Sequence, residues 1–249
     1  MHDPWQTRKQ TITEDSSMLQ SVRNFFRAVP TPLAGLALGI ASLGIGLEKS
    51  LPLHNFAQVL GALTSMTLIL LLAGKFAMNP RLLLEELRHP VLGSILPTTS
   101  MALMLQSKSL SILDAQAAQW LWLFAVALHL CLLLAFVAFR ARQFSLHHML
   151  PSWFVPFVGI SVAAMTVPGP AYYQLAYGLM VFGMVNYAAL LPVMLYRLIF
   201  SREIEDASKP TIAVLAAPAS LSLVAYLSLE PTPSLLLCSL LLGVAVLMT

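Results

Sequence analysis

The sequence has 249 residues, of which 58% are hydrophobic and only 10% are charged, and its mean hydropathy is +0.78. This composition excludes an ordinary soluble protein, which is about half apolar and a quarter charged, as well as a disordered or collagen-like chain. Two cysteines within apolar segments exclude a disulfide framework and a cysteine-rich zinc module, and the scattered net charge of +3 does not indicate nucleic-acid binding. A polytopic membrane protein is the class that remains.

Residues 1–27 are polar and charged. They lack the apolar core and the small-residue cleavage site of a secretory signal, so the sequence predicts a cytoplasmic tail. Two interpretations stay open for its last part: a short amphipathic helix formed by the apolar residues between 18 and 26, or disorder up to about Ser21.

Residues 28–249 form one predicted transmembrane domain. A transmembrane helix needs about 20 apolar residues, and most of the apolar segments here reach that length. The turn Pro168-Gly169-Pro170 separates the fifth segment from the sixth. We expect an all-α integral membrane protein of tandem helical hairpins around a central pore, with eight spans at 30–47, 55–77, 91–107, 115–139, 153–171, 172–200, 211–229 and 234–249.

The basic residues predict the orientation of these spans. Twelve of the fourteen Lys and Arg residues lie in the N-terminal tail, in the even-numbered connections or at the ends of the spans that border them, whereas only Lys49 and Lys108 lie on the other side. Because cytoplasmic loops carry an excess of Lys and Arg, the N-terminus and the even-numbered connections are predicted to be cytoplasmic. We expect a multi-pass protein of the cell (plasma or inner) membrane, in contact with membrane lipid.

Each odd-numbered span carries a proline in its first half, at intervals of 65, 59 and 62 residues, and another proline precedes it. A proline inside a helix removes a hydrogen bond at a cost of about 3 kcal/mol, and in hydrocarbon the freed carbonyl needs a partner. Such a helix is tolerated where it is buried in protein or lines a wet cavity. We therefore expect the odd spans inside and the even spans around them. The repeating prolines are Pro32, Pro97, Pro156 and Pro218.

The odd spans are also rich in small and hydroxyl-bearing residues. Gly35 and Gly39 form a small-xxx-small pair, which predicts close contact between helices. The alternative, that prolines and glycines serve packing alone, is weakened by their regular spacing on odd spans only. The candidate pore-lining residues are Pro32, Gly35, Gly39, Pro97, Thr98, Pro156, Ser161, Pro218 and Ser222.

Three segments resemble the tellurite-resistance/dicarboxylate transporter family, which includes bacterial tellurite-resistance proteins and plant slow anion channels. Residues 29–39, Val-Pro-Thr-Pro-Leu-Ala-Gly-Leu-Ala-Leu-Gly, are similar to its first inner helix. His89-Pro90 followed by Pro97-Thr98-Thr99 resembles its third helix, and residues 210–228 resemble its seventh. The resemblance implies five hairpins, a pore lined by the odd helices, a homotrimer with one pore in each protomer, and passage of small inorganic or organic anions.

The chain departs from this family pattern in two respects. The next repeating proline would fall near position 280, beyond Thr249, so we expect the fifth hairpin to be absent from this chain. The phenylalanine that closes the pore in the family would also be absent, and Phe154 and Phe157 are expected to pack near the cytoplasmic end of the fifth span instead. Four hairpins predict an open lateral cleft between the first and seventh spans.

The middles of the odd spans carry no Asp, Glu, Lys, Arg or His. Intramembrane charges usually mark proton relays or ion-coupling sites, so this pattern favours a channel or facilitative carrier over tightly coupled transport. His129 is expected to hydrogen-bond to a neighbouring helix and His89 to serve the start of the third span. Glu85 and Glu86 predict a solvated cytoplasmic helix.

Two other function classes compete with anion transport. An integral-membrane enzyme needs polar catalytic groups at one membrane depth, and the sequence contains no nucleophile–base pair, phosphate loop, metal cluster or cofactor motif. We therefore expect no enzymatic activity, no metal and no cofactor. A non-conducting membrane scaffold, or a truncated fragment lacking the fifth hairpin, stays open as the alternative.

Overall fold

The computed structural model describes residue 18 and residues 20–142, 149–200 and 206–248, and these residues contain helices and no β-strand. Five helical segments are long and apolar enough to cross a membrane. They are Leu33–Ser50, Phe56–Met78, Ala115–Ala141, Pro170–Phe200 and Lys209–Leu229, and shorter apolar helical segments cover Pro151–Met165 and Leu235–Leu247.

The helices are numbered in chain order. Helices α1 to α6 cover Leu33–Ser50, Phe56–Met78, Pro80–Arg88, Pro90–Ile95, Thr98–Leu110 and Ala115–Ala141. The segment Pro151–Met165 mixes 3₁₀ turns with two short helices, α7 at Phe154–Val158 and α8 at Val162–Met165. Helix α9 covers Tyr173–Phe200, a 3₁₀ segment covers Asp206–Ala216, and α10 and α11 cover Ala217–Leu229 and Leu235–Leu247.

Four segments form a continuous series, which we call the arc: α1, α5, Pro151–Met165 and α10. Each member contacts the next one in this order, whereas no extensive contact joins α1 to α10 within the described residues. Each member also packs against the long helix that follows it in the chain: α2, α6, α9 and α11 respectively. Helix α2 contacts α5 as well, and α9 contacts α10, so these two helices each support two neighbouring members of the arc.

Burial differs between the middle and the ends of the arc. Residues 100–107 of α5 and residues 158–164 are all buried, whereas α1 and α10 each bury one face. The expectation that the odd-numbered spans lie inside therefore holds for the third and fifth spans and is wrong in part for the first and seventh. The physical reason is position, because the middle members have a neighbour on both sides and the end members have only one.

The repeating prolines lie where α-helices begin, and they do not kink continuous helices. Pro32 and Pro97 directly precede α1 and α5, and Pro218 is the second residue of α10. Pro156 lies within the short helix α7, between two 3₁₀ turns. Backbone N–H groups in the first turn of a helix have no intrahelical partner, so a proline there removes no hydrogen bond. Most of the expected cost of about 3 kcal/mol is therefore avoided.

Helices α1 and α2 approach closely at two glycines that the sequence did not single out. A Cβ atom on Gly44 would lie 2.7 Å from the Ala57 carbonyl oxygen, and one on Gly61 would lie 3.0 Å from that of Ile40. Gly35 and Gly39, by contrast, have no atom within 4 Å of a Cβ position. The close contact that Gly35 and Gly39 would permit is therefore not made within the described residues.

One end of the bundle, which we call the basic end, is held together by buried polar groups. Lys75 Nζ lies 2.5 Å from Glu86 Oε1 and donates to Thr31 Oγ1 at 2.8 Å. Thr31 Oγ1 in turn donates to Glu86 Oε2 at 2.6 Å. The prediction that Glu86 is solvated is wrong, because this carboxylate is buried as the counter-charge of Lys75.

The other basic residues of this end extend the same polar cluster. Arg23 Nε donates to Asn79 Oδ1 at 3.0 Å, and Arg140 donates to the Arg88 carbonyl. Residues 20–27 are helical, which agrees with the helical interpretation of this part of the tail. Residues 1–17 and Leu19, with the predicted cytoplasmic charges Arg8 and Lys9, lie outside the described residues, as does Arg202.

Candidate functional site

The middle members of the arc meet α10 at a small cavity. Its volume is about 50 Å³. The cavity lies one helical turn beyond three of the repeating prolines, where Met101, Gly159 and Leu221 come from α5, Pro151–Met165 and α10. Its lining is apolar and consists of Met101, Phe154, Val155, Val158, Gly159, Val214, Ala217, Pro218 and Leu221.

Gly159 lets the arc close tightly at this cavity. A Cβ atom at Gly159 would lie 2.5 Å from Met101 Sδ and 3.4 Å from His129 Cε1. Neither Gly159 nor Met101 is among the pore-lining residues that the sequence predicts. The signal that could have found both is their offset of three or four residues from Pro156 and Pro97.

His129 of α6 connects the two middle members of the arc. Its Nε2 lies 3.0 Å from the Pro156 carbonyl oxygen, and its Nδ1 lies 2.9 Å from Ser100 Oγ. A carbonyl oxygen can only accept a hydrogen bond, so Nε2 carries the hydrogen. Ser100 Oγ also lies 2.7 Å from the Pro97 carbonyl oxygen. The expectation that His129 bonds to a neighbouring helix is confirmed, and its partners lie at two of the repeating prolines.

The structure brings only part of the predicted pore-lining set together. Pro97, Pro156 and Pro218 are buried near the cavity, whereas Pro32 is exposed at the start of α1. Gly35 and Gly39 lie along α1 with open space beside them. These three α1 residues stand apart from the others because no neighbour covers that face of α1 within the described residues.

The predicted hydroxyl residues differ in their partners. Thr98 Oγ1 donates to the Ile95 carbonyl at 2.7 Å and so satisfies the turn around Pro97. Ser161 and Ser222 are fully buried, and their hydroxyls have no hydrogen-bond partner in the described part of the chain. Ser161 Oγ faces Gly183 of α9, where any Cβ would collide with it.

The remaining predicted aromatic and histidine positions are structural. Phe154 is buried with its ring centroid 5.7 Å from that of Tyr187, and Phe157 lies 6.3 Å from Phe136. His89 Nδ1 accepts from the backbone N–H groups of Val91 and Leu92 at 3.3 Å. His89 therefore caps the start of α4, as the sequence predicted.

A second, larger cavity lies at the end of the bundle opposite the basic end. Its volume is about 260 Å³, and it lies between the start of α2, the end of α5 and the residues that follow α8. Lys108 lies just beyond the predicted third span, and burial, with a smaller effect of the nearby Lys49 charge, lowers the pKa of its ammonium. The lining residues are Gln58, Ser107, Lys108, Ser111, Ile112, Thr166, Val167 and Pro168.

Within the described residues, the five apolar helices of spanning length are typical of an integral membrane protein. Residues 29–249 match the family model described as voltage-dependent anion channel, and the chain belongs to this family. This match confirms the family resemblance that the sequence indicated.

A curated relative supports the same class. An uncharacterized transporter of Methanocaldococcus jannaschii is 27% identical to this chain over 164 residues, which cover 60% of this chain and 48% of the relative. The chain thus spans about half of the length of the relative that it matches.

Proposed function

We propose that this protein is an anion channel or facilitative transporter that passes small inorganic or organic anions across the cell membrane without tight coupling. The pathway runs along the arc and past the cavity at Gly159. The observation that supports this proposal is the arc itself, a series of four packed segments that each carry one repeating proline, in a chain of an anion-channel family.

The charge distribution supports passive passage. Within the described residues, the arc segments carry charged side chains only near their ends, at Glu48, Lys49 and Lys108. Proton relays and ion-coupling sites usually place ionisable groups within the membrane, whereas conduction needs binding weak enough for the ion to leave.

Two buried hydroxyls on different members of the arc are candidates for weak polar contacts along this route. They belong to Thr99 and Ser222, and neither has a hydrogen-bond partner in the described residues. A buried hydroxyl without a protein partner calls for an explanation, and donation to water or to a passing anion is one that suits a pore.

The orientation and assembly are part of the proposal. Twelve of the fourteen basic residues favour a cytoplasmic basic end and a cytoplasmic N-terminus in the plasma or inner membrane.

The family resemblance supports a homotrimer with one pathway in each protomer. The C4-dicarboxylate transport and tellurite resistance found in that family make malate and oxyanions the first substrates to examine. Cross-linking of the reconstituted protein tests the trimer.

Conductance of the purified protein in planar bilayers tests the function. With chloride, malate and sulfite compared, we expect a current whose reversal potential follows the anion gradient and does not depend on a pH gradient. Protein-free bilayers are the control. Absence of current above background for every anion would favour the non-conducting scaffold or fragment.

A matched pair of glycine variants tests the route. Gly159→Ala should reduce the current several-fold, because the added methyl group would lie 2.5 Å from Met101 Sδ and would narrow a cavity of about 50 Å³. Gly178→Ala should leave the current unchanged, because no atom lies within 4 Å of its Cβ position. Equal currents from the two variants, both verified as folded, would place the pathway elsewhere.

A further inference from the structure

The cavity of about 260 Å³ contains an ammonium group without a counter-charge. Lys108 Nζ donates to the Met165 carbonyl oxygen at 3.2 Å, and none of the carboxylates in the described residues lies within 4.0 Å of it. One N–H group is thus used and two remain. Since burying a charge is costly unless it is paired, a half-buried lysine in this position favours the presence of an anion beside it.

Two acidic side chains at this end of the bundle make hydrogen bonds to backbone groups. Glu48 Oε1 accepts from the Asn55 backbone N–H at 2.7 Å. Asp114 Oδ1 accepts from the backbone N–H groups of Gln116 and Ala117 at 2.8 and 3.1 Å, where it caps α6. Neither carboxylate lies within 4.0 Å of the Lys108 ammonium, and Glu48 Oε2 is buried without a hydrogen-bond partner in the described residues.

A second donor and a second positive charge lie close to Lys108. The Gln58 amide makes only long contacts, 3.3 Å to Ser109 Oγ and 3.5 Å to the Lys108 carbonyl oxygen, so it can turn toward an anion with little loss. Lys49 is exposed and close enough to Lys108 to act on it electrostatically. Its field adds to the attraction of an anion toward the cavity.

We propose that this cavity is a binding site for one small monovalent inorganic anion, held by the Lys108 ammonium and the Gln58 amide. A single ammonium matches a single negative charge, and the cavity has room for a hydrated anion. The site lies at the end of the bundle opposite the basic end. Its role rests on the proposed function: anions from the outer side bind here before they enter the pathway.

Anion binding at this cavity can be tested without measuring ion conduction. The melting temperature of the detergent-purified protein is measured in sodium chloride and in sodium gluconate at equal ionic strength. We expect chloride to raise the melting temperature of the wild type in a saturable manner, because a ligand that binds only the folded state stabilises it. Lys108→Gln should abolish this rise and Gln58→Leu should weaken it, whereas Lys49→Gln should largely keep it.

Two results would overturn the site: no chloride effect in the wild type, or the same chloride effect in Lys108→Gln. The melting temperature of each variant in gluconate shows whether it folds. If Lys108→Gln does not fold, two other variants test the site. Lys108→Arg keeps the charge and should retain the chloride-dependent rise in melting temperature, and Gln58→Leu should weaken it. Any other result from this pair would reject the site.

The bilayer experiment separates this site from the proposed function. Lys108→Gln should raise the half-saturating chloride concentration on the outer side about tenfold, the effect of losing one charged hydrogen bond. A chloride effect on melting that depends on Lys108, in a protein that carries no current, would retain the site and reject the channel. A current with unchanged half-saturation and unchanged melting would retain the channel and reject the site.

Discussion

His129 shows how one side chain can join two broken helices. It is fully buried in α6, and it reaches the Pro156 carbonyl oxygen and Ser100 Oγ on two different members of the arc. The Pro156 carbonyl lies in the short helix α7, which passes directly into a 3₁₀ turn, and a buried carbonyl needs a donor in an apolar environment. His129 supplies a donor from outside the arc.

Replacing His129 should therefore destabilise the protein. We expect His129→Ala to cost about 2 kcal/mol or more, because it leaves the buried Pro156 carbonyl without its donor and opens a void. The measurement is the melting temperature in detergent. Cys131→Ser is the matched control on the same helix, since Cys131 is exposed and should tolerate the change. Equal losses from both variants would contradict this role of His129.

Two glycines of α1 should respond in opposite ways to the same substitution. Gly44→Ala should lower the melting temperature, at a cost of about 1–3 kcal/mol, because its methyl group meets the backbone of α2. Gly39→Ala should be neutral or slightly stabilising, because its Cβ meets open space and Ala is the better helix former. Greater sensitivity at Gly39 would show that this face of α1 is covered in the assembled protein.

At the scale of the element, proline spacing predicted where the arc segments break. It could not predict that Pro32, Pro97 and Pro218 stand at the starts of α-helices, because spacing does not show where a 3₁₀ turn gives way to an α-helix. Nor could it choose Gly44 over Gly35 as the contact with α2. All glycines of α1 look alike in sequence, and the partner helix selects the face.

The sequence-based prediction of which segments are buried has a related limit. The sequence grouped all odd-numbered spans as interior, but α1 and α10 have a neighbour on one side only. The Lys108 cavity was also missed, because its lining comes from three segments separated by about fifty residues along the chain. Such a site leaves no local pattern in the sequence.

The buried pair Lys75–Glu86 should govern the attachment of α3. We expect Lys75→Met to cost about 3–5 kcal/mol, because it leaves the Glu86 carboxylate buried without its counter-charge. The double variant Lys75→Met, Glu86→Leu should recover most of this loss, because no charge then stays buried. Arg81→Met, at an exposed position of the same region, is the control. A double variant as unstable as Lys75→Met alone would refute this account.

At the scale of the whole molecule, the positions of the basic residues predict which end faces the cytoplasm. In a background with Cys131→Ser and Cys238→Ser, Arg81→Cys should react with a membrane-impermeant thiol reagent only from the cytoplasmic side. Ser50→Cys, at the other end of α1, should react only from outside. Labelling of intact cells and of inverted vesicles measures both, and the reverse pattern would invert the proposed topology.

The packing of each arc member against the helix that follows it also bears on how the protein is made. The two most extensive interfaces, between α1 and α2 and between α5 and α6, pair segments that leave the ribosome one after another, and a later pair docks on an earlier member of the arc, as α5 docks on α1. Assembly can then proceed from the N-terminus by addition at a growing edge, with little search between distant parts of the chain.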